Sequence, residues 1–476
     1  MKKLKVLLTY PFWEYNNSWG KLEVGAGNFT FSYGLAMLAA VSRENGFFTK
    51  VYDTQLYSNR EQFKQFLIKN QFDVIGMTVY TYNFNRVAET VKFCHEILPQ
   101  SKIILGGCHA TANPRETINK IKFCDFVVMG EGEETFVELL NILEKDLKNF
   151  KEIKGLAFKQ KDKIVINKKR ELIKDLNKFP IPAYDLFPMK KYISSPNVVL
   201  KYPTYDILLS RGCPFNCTFC EFKTVLGQKY RTKSINKIIR EVKYLKKEFG
   251  ARGLVFRDSS ITTNKEFIIQ LCNRMIKENL NLKWACQSRV DTINESLLLL
   301  MKKAGCWQIS FGCESGNQKT LDLIKKGTTV EQNEIAVKSA LKAGLSVSTN
   351  WMICMPGENK KDVLNTINFA CKLGAHVGKF FLPVPYPKTT FYKDCLEEGG
   401  IKDKINYDDF NMMYPNRLIY VNKLIGEKEM LKLLRYAYQR YYSSPKVIWR
   451  NLKMLKDKDT IKKYFNAIKI ILNISR

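Results

Sequence analysis

The run Arg211-Gly212-Cys213-Pro214-Phe215-Asn216-Cys217-Thr218-Phe219-Cys220 places three cysteines at the spacing C-x3-C-x2-C. Three thiolates on one tight loop can hold three irons of a cubic iron–sulfur cluster. The remaining iron then has no protein ligand and stands open to a substrate or cofactor. A tetrahedral zinc site wants four protein ligands, and no fourth Cys or His lies nearby in the sequence. Zinc with a distant ligand, or chance clustering among the chain's 13 cysteines, is the competing reading. The surroundings favour the cluster. Ile207-Leu208-Leu209-Ser210 reads as a short buried strand before the loop. After the loop, Ser234 to Phe249 reads as an amphipathic helix, with Ile235, Ile238, Ile239, Val242 and Leu245 at helical spacing. Strand, ligand loop and helix make the opening unit of a β/α barrel.

The elements that must position this loop follow the same rhythm. Candidate strands at 206–210, 253–257, 283–287, 307–311, 346–353 and 379–384 alternate with helices at 234–249, 264–278, 294–304, 317–326, 331–343 and 360–372. Six βα units are fewer than the eight of a closed barrel, so residues 201–395 are expected to form a partial (β/α)6, TIM-like barrel. Its functional groups belong at the carboxyl ends of the strands. Residues 1–145 also alternate: strands at Lys5–Thr9, Lys50–Asp53, Val74–Val79, Lys102–Gly107 and Phe126–Met129 are separated by helical stretches. That pattern predicts a doubly wound, Rossmann-like parallel sheet with ligands at its strand ends. Between the two, residues 146–200 read as a connector with a β-hairpin around Lys161-Asp162 and a Pro-rich linker, Phe179-Pro180-Ile181-Pro182. Residues 396–476 read as a helical, basic C-terminal region.

Composition narrows the function class. A chain of 476 residues with 45% hydrophobic residues suits two or three folded domains rather than disorder. No apolar run reaches the length of a membrane span and no signal peptide is apparent. Scattered, odd-numbered cysteines suit a reducing compartment, so a cytoplasmic protein is expected. The net charge of +31 is mostly lysine and reads as a Lys-rich surface; nucleic acid is not an expected partner. Residues 431–476 carry 12 Lys/Arg against 2 Asp, a formal +10, on amphipathic helices at 427–442, 446–455 and from Thr460 to about Asn473. Such helices are expected to pack on their own protein, with peripheral contact to an anionic membrane as the lesser reading.

The three-cysteine loop resembles the signature of the radical S-adenosylmethionine (SAM) superfamily. Residues 1–145 resemble the cobalamin-binding domain that often precedes it, through Tyr33-Gly34-Leu35-Ala36-Met37-Leu38, Gly106-Gly107-Cys108-His109-Ala110-Thr111 and Asp125-Phe126-Val127-Val128-Met129-Gly130-Glu131-Gly132-Glu133-Glu134. The D-x-H-x-x-G motif that supplies an axial histidine to cobalt is absent from this sequence. The resemblance implies a [4Fe–4S] cluster on Cys213, Cys217 and Cys220, with SAM at the open iron. Phe219, Asp258, Ser259, Arg289, Glu314 and Ile353 are then expected around SAM. Gly106, Gly107, His109, Gly130 and Glu131 are expected around cobalamin. The sequence departs from the family pattern at three places. Ser259 stands for a second acid, Cys354 for the Gly before the Met355-Pro356-Gly357-Glu358 stretch, and Lys388 for the Gly of a P-x-P-G-T stretch. What the resemblance implies is C-methylation of an unactivated carbon in a small molecule, with electrons from a reductase or a flavodoxin or ferredoxin. Radical cyclisation or oxidation of a porphyrin-like or lipid substrate is the alternative. A methylthio-transferase lacks its second cluster motif here, and a non-catalytic cobalamin or redox sensor is the reading from another class.

Overall fold

The computed structural model describes residues 3–12, 31–57, 59–192, 194, 198–410 and 417–453. The expected helix from Thr460 lies outside them. The N-terminal unit is built on five parallel strands, β1 (Lys5–Tyr10), β2 (Phe48–Asp53), β3 (Val74–Thr78), β4 (Lys102–Gly106) and β5 (Phe126–Val128), in the order β2-β1-β3-β4-β5. The reversal of direction beside β1 is the doubly wound arrangement, and it opens a crevice at the carboxyl ends of β1 and β3. These strands are nearly continuous apolar runs, as a sheet covered on both faces requires. Its helices are α1 (Tyr33–Glu44), α2 (Arg60–Asn70), α3 (Phe84–Ile97), α4 (Cys108–Ala112), α5 (Pro114–Lys120) and α6 (Gly132–Glu144). The hairpin read as part of the connector, β6 (Leu156–Gln160) and β7 (Lys163–Ile166), instead extends this sheet: β6 pairs antiparallel with β5 from Phe126↔Phe158 to Val128↔Leu156. Its alternating apolar positions Leu156 and Phe158 had a β5 edge to cover, which spacing alone does not reveal.

The second unit is a six-stranded, all-parallel sheet in sequence order: β8 (Thr204–Ile207), β11 (Gly253–Phe256), β12 (Lys283–Ser288), β13 (Cys306–Glu314), β14 (Ser346–Met352) and β15 (Val377–Phe381). Two short strands, β9 (Ser210–Arg211) and β10 (Arg231–Thr232), pair antiparallel and bracket the three-cysteine loop. The helices are α7 (Phe222–Leu226), α8 (Ile235–Phe249), α9 (Lys265–Lys277), α10 (Glu295–Lys303), α11 (Gln318–Leu323), α12 (Val330–Lys342), α13 (Lys360–Leu373) and α14 (Thr390–Glu397). Their starts are chemically marked. Ser234, Asn264, Asn294, Thr329 and Asn359 each accept a backbone N–H of the first turn, and Gly250 ends α8 in the left-handed conformation.

One hydrophobic core runs through both units, joining Leu8 and Phe136 to Ile207, Leu254 and Trp351. The Pro-rich linker belongs to that core: Ala183, Tyr184, Phe187 and Met189 are buried in it. Tyr184 donates to the buried Glu241 of α8 at 2.7 Å, and Lys233 closes the same carboxylate at 2.6 Å. Of the basic C-terminal helices, α15 (Glu427–Tyr442) packs on the outer face of β14 and β15. Tyr438 and Tyr441 are buried there, and the Tyr441 hydroxyl donates to the Ala375 carbonyl at 2.8 Å. Helix α16 (Pro445–Leu452) follows, with Val447 buried and Trp449 exposed. No described helix is long and apolar enough to cross a membrane.

Candidate active site

The three cysteines occupy the loop between β9 and α7, where the carboxyl end of the second sheet meets the first unit. The turn depends on Gly212, whose φ is +86° and where any Cβ would collide with the Lys229 carbonyl oxygen. Cys213 N–H donates to the Gly227 carbonyl at 3.1 Å, and Thr218 N–H to that of Ile324 at 3.0 Å, tying the loop at both ends. All three thiols are free: Cys217 is buried, while Cys213 and Cys220 are half-buried. Among the described residues no three His, Cys, Asp or Glu side chains converge on a single-ion site. A cubic cluster, with one iron per thiolate, does not require such convergence. Burial raises the pKa of the Cys217 thiol, while Lys326 and Arg289 pull it back. Burial pushes Cys220 up to about 11. Burial thus disfavours the thiolates of Cys217 and Cys220, and the two cations near Cys217 partly offset it there.

The strand-end residues form a charged rim. Arg289, after β12, lies with its guanidinium 3.6 Å from the Phe215 ring centroid and 3.8 Å from Cys217 Sγ. Its bidentate partner is Asp291, at 2.9 and 2.8 Å, rather than Glu314. Glu314 ends β13 at φ +62° and pairs with the buried Lys326 at 2.8 Å. Burial lowers the Lys326 pKa, but Glu314 and Cys217 more than reverse it, so the ammonium stays charged beside the cluster loop. Asp258 differs from expectation. Its carboxylate accepts from Leu209 N at 3.1 Å, from Ser210 N at 2.6 Å and from the Ser210 hydroxyl. It is 1% exposed. This carboxylate is committed to the chain entering the cluster loop, which leaves half-buried Ser259 as the open polar group after β11. Phe219 packs against the core, and Ile353 is buried with its N–H on the Phe381 carbonyl at 3.0 Å. Cys354 and Lys388, which stand for glycines of the family pattern, have φ of +63° and +67°. The left-handed backbone is thus kept without glycine, at a local strain of about 1 kcal/mol each.

On the first unit, Gly107 has φ +101°, and a Cβ there would meet Thr78 Oγ1 at 2.7 Å and the Val79 carbonyl oxygen at 2.8 Å. Gly106 follows on β4 with only the Val128 carbonyl nearby. Gly130, at φ +76°, has open space where a side chain would stand. Around the crevice, Tyr80 and Tyr82 stack at 5.5 Å and the Tyr82 hydroxyl lies 3.3 Å from that of Tyr10. Glu221, next to Cys220, perturbs the ionisation of Tyr80, Cys108 and Tyr386 together. Helix α4, which follows β4, packs against α7, which follows the cluster loop, so the carboxyl end of the first sheet lies beside the three cysteines. Two of the residues expected around cobalamin have protein partners of their own. Glu131 is 7% exposed; its oxygens take Arg211 Nη1 at 3.1 Å and Arg231 Nη1 at 2.7 Å, and the Ile173 N–H at 2.8 Å. It joins the two units. His109 is 1% exposed, bonded through Nδ1 to Thr81 Oγ1 at 3.1 Å and caged by Phe84 and Tyr407. The sequence shows a histidine after a Gly-Gly turn, and nothing in it signals that Tyr407 closes over the ring.

Burial lowers the His109 pKa from 6.5 to about 4. A group whose folded pKa is depressed contributes stability above its unfolded pKa, and that stability falls away as pH drops from 6.5 toward 4. The full effect amounts to about 3 kcal/mol. Replacing His109 by Gln is expected to flatten the fall in Tm between pH 6.5 and 4.5 relative to wild type. Parallel Tm profiles for the two proteins would refute this account of the histidine.

Residues 207–370 match the Radical SAM superfamily, and residues 24–140 match the B12 binding domain. An uncharacterized methyltransferase of Pyrococcus horikoshii is 32% identical over 458 residues, covering 95% of each chain. The chain belongs to the cobalamin-binding radical SAM enzymes. An anaerobic magnesium-protoporphyrin IX monomethyl ester cyclase of Cereibacter sphaeroides is 29% identical over 81% of this chain and 62% of its own length. The fold matches that of OxsB, solved as a cobalamin-dependent SAM radical enzyme with aqua-cobalamin and SAM bound. The TM-score is 0.77 at 17% identity, covering 100% of this chain and 72% of that one. The cofactors of this radical SAM enzyme are a [4Fe–4S] cluster, SAM and cobalamin. The donor set agrees with the cluster: three free thiols lie on one glycine-pinned loop.

Proposed function

We propose that this radical SAM enzyme methylates an unactivated carbon of a small-molecule substrate. When bound, the cluster and SAM supply a 5′-deoxyadenosyl radical and cobalamin supplies the methyl group. The observation that carries the reading is the packing of α4, after β4 of the first unit, against α7, which directly follows the Cys213–Cys220 loop. Two groups that act on one carbon must approach it from different sides, and two sheets meeting at their carboxyl ends provide that. Cys213, Cys217 and Cys220 bind the cluster in this reading. Gly212 shapes their loop, and Asp258 positions it from beneath by holding the Leu209 and Ser210 amides. Arg289 and Lys326 hold positive charge at Cys217. Ser259, Arg289, Glu314 and Ile353 form the rim on which SAM rests, and Gly106, Gly107 and Gly130 line the cobalamin side. The reductant is a flavodoxin- or ferredoxin-type donor.

The test is anaerobic reconstitution with iron, sulfide and cobalamin, followed by incubation with SAM carrying a deuterated methyl group and a small-molecule extract. About four irons and one cobalt per chain are expected, with 5′-deoxyadenosine formed and the CD3 label in a new product. Because of the cyclase relative, one other outcome is specific. Stoichiometric 5′-deoxyadenosine with an oxidised, unlabelled product would replace methylation by radical cyclisation or oxidation. Zinc persisting in place of iron would remove the radical chemistry altogether.

A further inference from the structure

The concave face of the second sheet is polar where a parallel sheet is ordinarily apolar on both faces. The outer face is fixed by its contacts. Tyr205 bonds the end of α8, Trp351 packs edge-on against Phe369 of α13, and Phe380 packs on Tyr438 and Tyr441 of α15. A side chain at Gly378 would also strike Tyr441. By the two-residue alternation of a strand, the opposite face carries Asp206, Arg257, Gln287, Ser310, Ser348, Asn350 and Lys379. Gln287 is exposed, and Ser310, Asn350 and Lys379 are half-buried although their strands are central or covered, so this face stays open.

Its charges do not cancel. Arg257 pairs with Asp206 at 3.0 Å, and Lys326 with Glu314 at 2.8 Å at the rim above Gly312. Lys379 lies level with Asn350 and Gly312 across three neighbouring strands. Among the described residues its ammonium has no ion pair and no hydrogen bond. Burial lowers its pKa, and the positive charge of Arg257 on the same face lowers it further. Close by, the Ser348 hydroxyl is 3% exposed and unpartnered among the described residues, while Asn350 bridges to Ser310 Oγ at 3.2 Å. An unpaired cation beside hydroxyl and amide donors, on a face that carries a second cation and with no acid assigned to it, has the composition of an oxyanion site.

We propose that Lys379, with Arg257, Asn350 and Ser348 about it, binds an oxyanion group of the substrate (phosphate, phosphonate or carboxylate) and so selects anionic substrates. This rests on the second sheet's cleft being the substrate site, as in the function proposed above. The same lysine chemistry would also suit the carboxylate of SAM, and the test separates the two.

The reconstituted holoenzyme, with SAM bound and the cluster reduced, is titrated with inorganic phosphate and with acetate. Binding is read from paramagnetic broadening of the 31P and 1H lines, and SAM affinity is measured in parallel by equilibrium dialysis. Wild type is expected to broaden at least one probe saturably. Lys379→Met should weaken that binding at least tenfold, Lys379→Arg should retain it within about threefold, and SAM affinity should change less than twofold in both. Unchanged probe binding in Lys379→Met, or no saturable binding by wild type, overturns the proposal. So does a tenfold loss of SAM affinity with probe binding intact, which would give the lysine to SAM. Formation of 5′-deoxyadenosine by the same wild-type preparation reports the radical reading independently of any of these.

Discussion

Cys217→Ala is expected to abolish 5′-deoxyadenosine formation and to lower iron from about four atoms per chain to near zero after reconstitution. Cys217 is the buried member of the three, and the one that both Lys326 and Arg289 address. Removing it deletes a thiolate and also leaves two fixed cations facing a vacated site. A cluster held by two thiolates is not retained through desalting, so the loss should be complete rather than graded. The fold should survive, because the loop is tied by Gly212, by Cys213 N–H on Gly227 and by Thr218 N–H on Ile324, none of which uses the Cys217 side chain. Anaerobic iron and sulfide analysis, with liquid chromatography for 5′-deoxyadenosine, decides it. A variant that keeps four irons and turns SAM over would show that another residue completes the cluster, and the assignment of these three cysteines would fall.

Legibility in the sequence followed the range of the interaction. The six βα units could be read because the strands and helices announce themselves within a dozen residues, through apolar runs and, at most helix starts, a Ser, Thr or Asn cap. The cluster loop could be read for the same reason: its three ligands lie within eight residues. What failed to show was every role set by a partner far along the chain. Asp258 was placed correctly at a strand end, but its commitment to Leu209 and Ser210 spans about fifty residues. Arg289 is the exception in range: its bidentate partner Asp291 lies two residues on, but nothing local singles that acid out from the others at the strand ends. Lys326 gave no local sign, lying in a Lys-Lys-Gly stretch that reads as surface, yet it is 6% exposed beside Cys217. The glycine departures at Cys354 and Lys388 were visible as departures, but their left-handed backbone was not. The run Gly130-Glu131-Gly132-Glu133 stood out in the sequence, but its bonds to Arg211 and Arg231, some 80 and 100 residues away, did not.

That last pair carries the second large effect. Arg211 precedes the cluster loop directly and bonds Glu131 at 3.1 Å and also Glu133, while Arg231 on the paired strand β10 bonds Glu131 at 2.7 Å. All four side chains are nearly buried, from 2% to 14% exposed. Two acids and two bases thus fasten the start of α6 to the base of the cluster loop, and they hold the aromatic crevice and the cysteines in fixed relation. Burial acts to raise the Glu133 pKa, but Arg211, through charge and hydrogen bond, more than reverses it and leaves the carboxyl below its usual range. A carboxylate lowered in this way contributes stability above its unfolded pKa, and loses it as pH falls through the lower, folded value. Arg211→Met removes one cation and strands an uncompensated buried carboxylate, a change that costs about 3–5 kcal/mol. A fall in Tm of roughly 3–5 °C at pH 7 is expected, and it should narrow as the solution is acidified and the stranded acid takes up a proton. The double variant Arg211→Met, Glu133→Gln should recover a large part of the loss at pH 7, since it removes charge from both sides of the contact. Cluster content should fall less than the rate of 5′-deoxyadenosine-coupled product formation, because the cysteines remain while their placement against the first unit loosens. Equal Tm values for wild type and Arg211→Met would show that the two units are held by their shared apolar core alone, with the ion pairs contributing nothing to their attachment.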